Sequence, residues 1–443
     1  MAPVPDRVQS DLTLPKSADV VVIGGGIIGA TTALELAERG VDVVLLEKGE
    51  IAGEQSSRNW GWCRQMGRDV REIPLILESM RLWRNMNVRV SAETGFNQCG
   101  ILYLCKDERQ MARNETWLEE HARPYQLDSR MVGADEVAEL VPGAAIPPVG
   151  ALYTPSDGRG EPQKAAPAIA NAVRSQGGKV FTQCAVRGLE TKAGRAGTVV
   201  TERGSIEAGS VVLAGGAWSR HFCDRLGIVL PQLTTISSVL RTEPLDAGLE
   251  RSVGGDQYAF RKRLDGGYTI AHGSVSVSDI TPAHFRFFRQ FMPALKTEWD
   301  NIKLRLGPRF SDEWSWSKPW KLDEVSPFEK VRTLDPAPVD WVVKQSEDSI
   351  KRHYPVFQNM KVAERWAGCI DVTPDVVPVI SEVEQLPGFF LSTGFSGHGF
   401  GIGPGAGRLT ADLVTGKAPV VDPEPFRYSR MIDGTKFAPM ALP

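Results

Sequence analysis

Residues 19–47 carry the feature that most constrains the fold. Asp19-Val-Val-Val-Ile23 is a short β-branched run of the kind that forms a buried parallel strand. It runs straight into Gly24-Gly-Gly-Ile-Ile-Gly29 and then into Ala30–Arg39, a helical stretch closed by Gly40. Val41–Leu46 is a second strand that ends at Glu47. In such a βαβ unit each glycine has a separate task. Gly24 permits the tight turn, Gly26 lets backbone approach a pyrophosphate, and Gly29 lets helix pack on strand. Ile27 and Ile28 then stand at a helix N-terminus whose unpaired N–H groups face the phosphates. Glu47, 18 residues beyond Gly29, falls where a carboxylate accepts adenosine ribose hydroxyls and repels a 2′-phosphate. The unit reads as a dinucleotide site that disfavours NADP.

Two later segments extend this frame. Ser210–Ser219 is a strand ending in glycines, and Thr393–Gly407 is a glycine-rich loop expected to lead into a helix at Arg408–Val414. With 443 residues the chain is expected to form two packed domains. The expected class is α/β, with a discontinuous Rossmann-like domain of the glutathione reductase type over 17–98, 150–229 and 361–430. An interleaved α+β substrate domain takes 99–149 and 230–360, with a helical insert near 281–350. Aromatics crowd Phe285–Trp320 and read as a cover over the active-site mouth, a membrane-facing patch or a small helical core.

A formal net charge of −3 with no basic run argues against a nucleic-acid partner. The six cysteines form no CxxC pair, so neither a metal site nor a disulfide framework is expected, and free thiols in a reducing compartment are. No stretch reaches the roughly 20 apolar residues of a spanning helix, and Met1–Ser17 has no apolar core of a signal peptide. A soluble, cytoplasmic chain is expected, at most peripheral to a membrane.

The glycine motif with Glu47, the strand ending in Ala214-Gly-Gly-Ala-Trp218, and the late Gly-His-Gly segment together resemble the D-amino acid oxidase-like FAD flavoproteins. Gly53-Glu-Gln-Ser56, Cys184–Gly188, Val211–Gly216, Glu364-Arg-Trp366 and Pro378–Glu382 resemble more closely the bacterial L-amino acid deaminases. Those deaminases begin with a hydrophobic anchor that this sequence does not show, and the Ser57–Met66 wording differs from theirs. The resemblance implies FAD, an amino acid substrate, and oxygen or a quinone as electron acceptor. It implies cofactor contacts at Lys48, Gln55, Ser56, Ser57, Arg58, Trp60, Gly61, Val186, Gly215, Trp218, Gly394, Gly397, His398 and Gly399, beside those already named. It also implies that Arg261 grips the substrate carboxylate, since a planar guanidinium matches a carboxylate in two hydrogen bonds. The residues alone equally allow a surface arginine beside Lys262 and Arg263.

Arg64, Gln65 and Arg68 read as further pocket residues or as solvated loop charges. Trp60, Trp62 and Trp366 read as pocket walls or core, and His398 as a flavin neighbour or a packing residue. Sarcosine oxidases attach flavin through a cysteine a fixed distance before an aspartate. Counted back from Asp375, Gly368 takes that slot and Cys369 falls one residue late, so its thiol should face away and FAD should be held non-covalently. The implied reaction is oxidative deamination of a free amino acid, with L the expected hand. Oxidation of a secondary amine, or a non-catalytic flavin-binding role, is the alternative.

Overall fold

The computed structural model describes residues 3–297, 299 and 301–440. Strand β1 (Ser17–Ile23), helix α1 (Ile27–Glu38) and strand β2 (Val43–Leu46) form the βαβ unit read from the sequence. β1 pairs in parallel with β2 on one side and with Gly204–Leu213 on the other. Lys179–Phe181 extends the sheet beyond β2, and Phe389–Thr393 extends it beyond Gly204–Leu213. Val20, Val21 and Val22 are buried on both faces, which explains a strand that is apolar without alternation. Both faces are covered: α1 and the helix Pro162–Ser175 pack on one, and the cluster around Phe181, Phe222 and Phe389 on the other.

A second sheet of ten strands stands over the first. Leu233–Thr242, Tyr258–Lys262 and Tyr268–Ala271 form its centre. Two segments expected in the nucleotide domain belong to this sheet instead. Gly150–Thr154 pairs with Ile101–Cys105, and Val362–Val372 pairs antiparallel with Leu233–Thr242 along nearly its whole length. In each case the partner that satisfies the backbone groups lies too far along the chain to be read locally.

The glycine-rich segment also differs from expectation. It is helical from Gly399 to Val414, although it contains Pro404. Packing overrides propensity here. A Cβ on Gly403 would meet Ile27 at 2.9 Å and one on Gly407 would meet Thr31 at 2.5 Å, so the glycines let this helix lie against α1. Around the proline, side chains of the helix Ile73–Arg84 supply partners: Ser79 Oγ and Trp83 Nε1 donate to the Gly401 carbonyl at 2.7 and 2.8 Å, and the Gly405 N–H donates to Ser79 Oγ.

Within the insert, Phe287 is buried, while Trp316 and Trp320 pack towards Trp218 and Phe328. Phe285, Phe288, Trp299 and Trp314 are exposed. None of the aromatics of Phe285–Trp320 lines the central cavity. Among the described residues no helix is long and apolar enough to cross a membrane.

Candidate active site

A cavity of about 620 Å³ opens between the two sheets, beyond the carboxyl ends of β1 and Gly204–Leu213. At one end Gly24, Gly26, Ile27 and Ile28 line it. Gly24 sits at φ +110°, and a Cβ there would run into the Ala214 carbonyl. Gly29 does not reach the cavity; a Cβ on it would strike the Gly24 carbonyl, so it sets the approach of α1 to β1. Gly26 gives α1 no side-chain cap, and the Ile27 N–H is met by Ser56 Oγ at 2.8 Å. The Glu47 carboxylate accepts from the N–H groups of Gly25 and Gly49 at 2.6 and 2.7 Å. Burial raises its carboxyl above the usual range, against the pull of Lys48 and those two amides.

Lys48, Gln55, Arg58, Val186, Gly215 and Trp218 line the middle of the cavity. Lys48 pairs with Glu54 at 2.8 Å and lies 4.4 Å over the Trp218 ring, whose Nε1 donates to the same carboxylate. Arg58 is tied to Asp335 and the Ala367 carbonyl. Gly397, His398 and Gly399 line the cavity where the helix Gly399–Val414 begins, so its free N–H groups and positive dipole end are directed there. Asp371, not singled out in the sequence, is buried at the same place and accepts from the Gly394 N–H at 2.7 Å and from Gln232.

Besides Gly29, three expected cofactor contacts lie elsewhere. Ser57 is fully buried, with its hydroxyl on the Glu54 carbonyl. Gly61 stands where any side chain would overlap Arg261. Gly394 turns its N–H to Asp371 and does not line the cavity.

Trp60, Trp62, Arg64, Arg68, Tyr103 and His398 line the far end. The two tryptophans meet edge to face at 5.3 Å, and the Arg64 guanidinium lies 5.8 Å from the Tyr103 ring centre. Arg64 donates to the carbonyls of Met66 and Gly67 and, among the described residues, makes no salt bridge. Arg68 is 1% exposed; its Nε donates to the Arg64 carbonyl, and its Nη1 has no hydrogen-bond partner. The nearest carboxylate oxygen, on Glu72, is 3.7 Å from that nitrogen. Burial, then the charge of Arg64, pushes Arg68 down to about 10, which leaves it cationic at neutral pH. The Glu72 carboxylate also accepts from His398 Nδ1 at 3.0 Å. Burial keeps His398 below its ordinary range despite Glu72, so the ring is neutral. The charges of Arg64 and Arg68 act here on Glu72, and the buried Asp157 acts on both arginines from further off; the unpartnered Arg68 Nη1 suits a bound anion.

Three expected substrate residues are not part of this end. Arg261 is buried and already forms a bidentate pair with Glu161 at 2.8 and 3.0 Å, while its Nε donates to the Trp60 carbonyl. Ala259 lines the cavity, but by Arg261 the strand has passed beneath the Trp60–Gly61 turn. Gln65 points to Ser156 and Asp157. Trp366 is core, its Nε1 on the Arg58 carbonyl. Gly368 and Ile370 line the cavity whereas Cys369 does not; its sulfur lies 2.8 Å from Arg309 Nη1. All six cysteines are free.

The family model described as "DAO: FAD dependent oxidoreductase" matches residues 19–413. The structure of an L-amino acid deaminase from Proteus myxofaciens in complex with anthranilate is 35% identical, covers 96% of each chain and superposes with a TM-score of 0.92. A mitochondrial sarcosine dehydrogenase of Mus musculus is 26% identical over 92% of this chain, which spans only 41% of that enzyme's length. A glycine oxidase of Pseudomonas aeruginosa is 26% identical over 93% of this chain and 98% of its own.

Proposed function

The chain belongs to the DAO family of FAD dependent oxidoreductases, and on that footing we propose that it oxidises the Cα–N bond of a free L-amino acid to give the 2-oxo acid and ammonia. One observation carries the reading: the buried Arg68 lines the cavity with an unpartnered Nη1, beside an Arg64 that makes no salt bridge among the described residues. A substrate carboxylate supplies the missing acceptor. It gains a charge-assisted contact that a neutral ligand of the same size does not.

FAD fits the remainder of the cavity. Gly24 and Gly26 leave no side chain where its pyrophosphate would lie, and Glu47 stands where the ribose would reach. When bound, FAD supplies the acceptor for the hydride that leaves Cα. The remaining tasks fall to the protein. Arg64 and Arg68 hold the carboxylate and so fix which Cα–H bond faces the cofactor. Trp60, Trp62 and Tyr103 enclose the reacting carbon in an apolar wall that excludes water. The N-terminus of Gly399–Val414 favours negative charge that develops beside it. The deaminase from Proteus myxofaciens supports the L hand, through its similarity over nearly the whole of both chains.

Sarcosine dehydrogenase and glycine oxidase among the relatives favour a second reading, an N-methyl or unsubstituted glycine-like substrate gripped by the same arginines. Anaerobic mixing of the FAD-loaded protein with L-, D- and N-methyl amino acids decides between them. Reduction by L-amino acids supports the first reading; reduction by N-methyl amino acids alone replaces it with the second. Admission of air then separates oxygen from a quinone as acceptor.

A further inference from the structure

Glu72 and His398 form a buried pair that carboxylate binding does not require. Glu72 is wholly buried at the end of the turn Val70–Glu72, with Oε1 lacking any hydrogen-bond partner. Its Oε2 is shared between His398 Nδ1, at 3.0 Å, and Arg68 Nη1, at 3.7 Å. His398 immediately precedes Gly399–Val414, its side chain makes no capping bond to that helix, and it lines the cavity. The charged groups that face its ring are Glu72, Arg68 and Arg64. Opposing terms set the two ionisations. Burial would raise the Glu72 carboxyl, but His398, Arg68 and Arg64 hold it below the usual carboxylate range, so it is ionised. An ionised acceptor beside Nδ1 selects the tautomer with hydrogen on Nδ1 and a lone pair on Nε2. The arrangement is that of a base oriented by a third group.

An α-amino acid enters as its ammonium, whose nitrogen has no lone pair to support departure of hydride from Cα. One carbon separates that nitrogen from the carboxylate, so a molecule held at Arg68 carries its ammonium close to the ring that shares Glu72 with Arg68. We propose that His398 Nε2 accepts the ammonium proton of the bound substrate, and that Glu72 is the positioning residue that keeps Nε2 unprotonated and directed into the cavity. The step breaks one substrate N–H bond and forms one Nε2–H bond, with no change in oxidation state. The resulting imidazolium is stabilised by Glu72 and opposed by the two arginines. This inference rests on the reading of the substrate as an amino acid.

Two measurements on the full-length, FAD-loaded protein test it. In long-range ¹H–¹⁵N spectra of labelled protein, with His398 identified by the signals that His398→Gln removes, hydrogen is expected on Nδ1. Glu72→Gln should move population to the Nε2–H form, and Glu72→Asp should not. A wild-type ring with hydrogen on Nε2, or one indifferent to Glu72→Gln, overturns the positioning role whatever the substrate. The second measurement is anaerobic single-turnover flavin reduction, across pH, by the L-amino acid that reduces the wild type fastest. His398→Gln should slow it by about 10²-fold and remove the acid limb, the magnitude expected for loss of a general base. Glu72→Gln should slow it by about tenfold and move the acid limb to lower pH, because the imidazolium loses its counter-charge. Glu72→Asp should recover most of the rate. Unchanged rates and limbs in all three variants overturn the proton-transfer role. A wild type that no amino acid reduces overturns the functional reading instead, and the spectra still decide the positioning role.

Discussion

Replacing Arg261 by methionine separates a structural arginine from a substrate-binding one. Arg261 is 1% exposed and holds both oxygens of Glu161, which also accepts the Leu264 N–H at 2.8 Å. Methionine fills much of the space but leaves Glu161 buried with only that backbone donor. Breaking a buried pair from one side costs about 3–5 kcal/mol, and the surviving amide bond places this case near the lower figure. An apparent melting temperature lower by about 3–5 °C follows for a chain of this length. The pH dependence has a definite sign. In the wild type, burial would raise the Glu161 carboxyl, but the charge and hydrogen bonds of Arg261 hold it below its usual range. Its contribution is therefore full above the unfolded value and lost as pH falls through the folded one. In the variant, burial is unopposed by Arg261 and the carboxyl rises, so stability is regained as pH falls. The gap between the two proteins should be widest at pH 8 and narrowest near pH 5. Thermal unfolding followed by tryptophan fluorescence, at a fixed excess of FAD, measures it. KM for an amino acid should change little. A variant that melts with the wild type while its KM rises more than about tenfold would return Arg261 to the substrate and refute the reasoning.

Arg68→Met should behave in the opposite way. Loss of its charged contact should lower kcat/KM by about 2–4 kcal/mol equivalent with FAD retained, measured at a temperature where the variant remains folded, since removing Arg68 also takes a buried cation from Glu72 and a donor from the Arg64 carbonyl; normal steady-state kinetics would place the carboxylate elsewhere. Acid precipitation should release the yellow colour into the supernatant from wild type and Cys369→Ala alike, since Cys369 stands off the cavity between Gly368 and Ile370; flavin that stays with the wild-type pellet and is lost in the variant would contradict this.

The nucleotide half of the site was legible because its signals are local. A buried parallel strand, three glycines and an acid at a fixed distance are contiguous in the chain, and Gly24 and Gly29 make the turn and the close helix–strand approach expected of them. The substrate half was less legible because its partners are distant. Nothing near Arg261 reveals that Glu161, a hundred residues earlier, neutralises it. Gln65 lies next to Arg64 yet turns to Asp157, because the two-residue strand Trp62–Cys63 and the turn after it set which side chains face inward. Glu72 escaped notice although its spacing from Arg68, four residues, is that of an ion pair on one helical face. The helix Gly399–Val414 was hidden for a different reason. Glycine and proline weaken helix propensity, and only contact with α1 and with Ser79 and Trp83 restores it.

The central claim, that this cavity oxidises an amino acid held by its carboxylate, is tested most directly by anaerobic titration of the FAD-loaded protein with L-amino acids. The account predicts that the visible flavin band bleaches with at least one of them, with one 2-oxo acid and one ammonia formed per flavin reduced, and that Arg68→Met suppresses the bleaching while Arg261→Met, at a temperature where it remains folded, does not. A flavin band left unchanged by every L-, D- and N-methyl amino acid would contradict it.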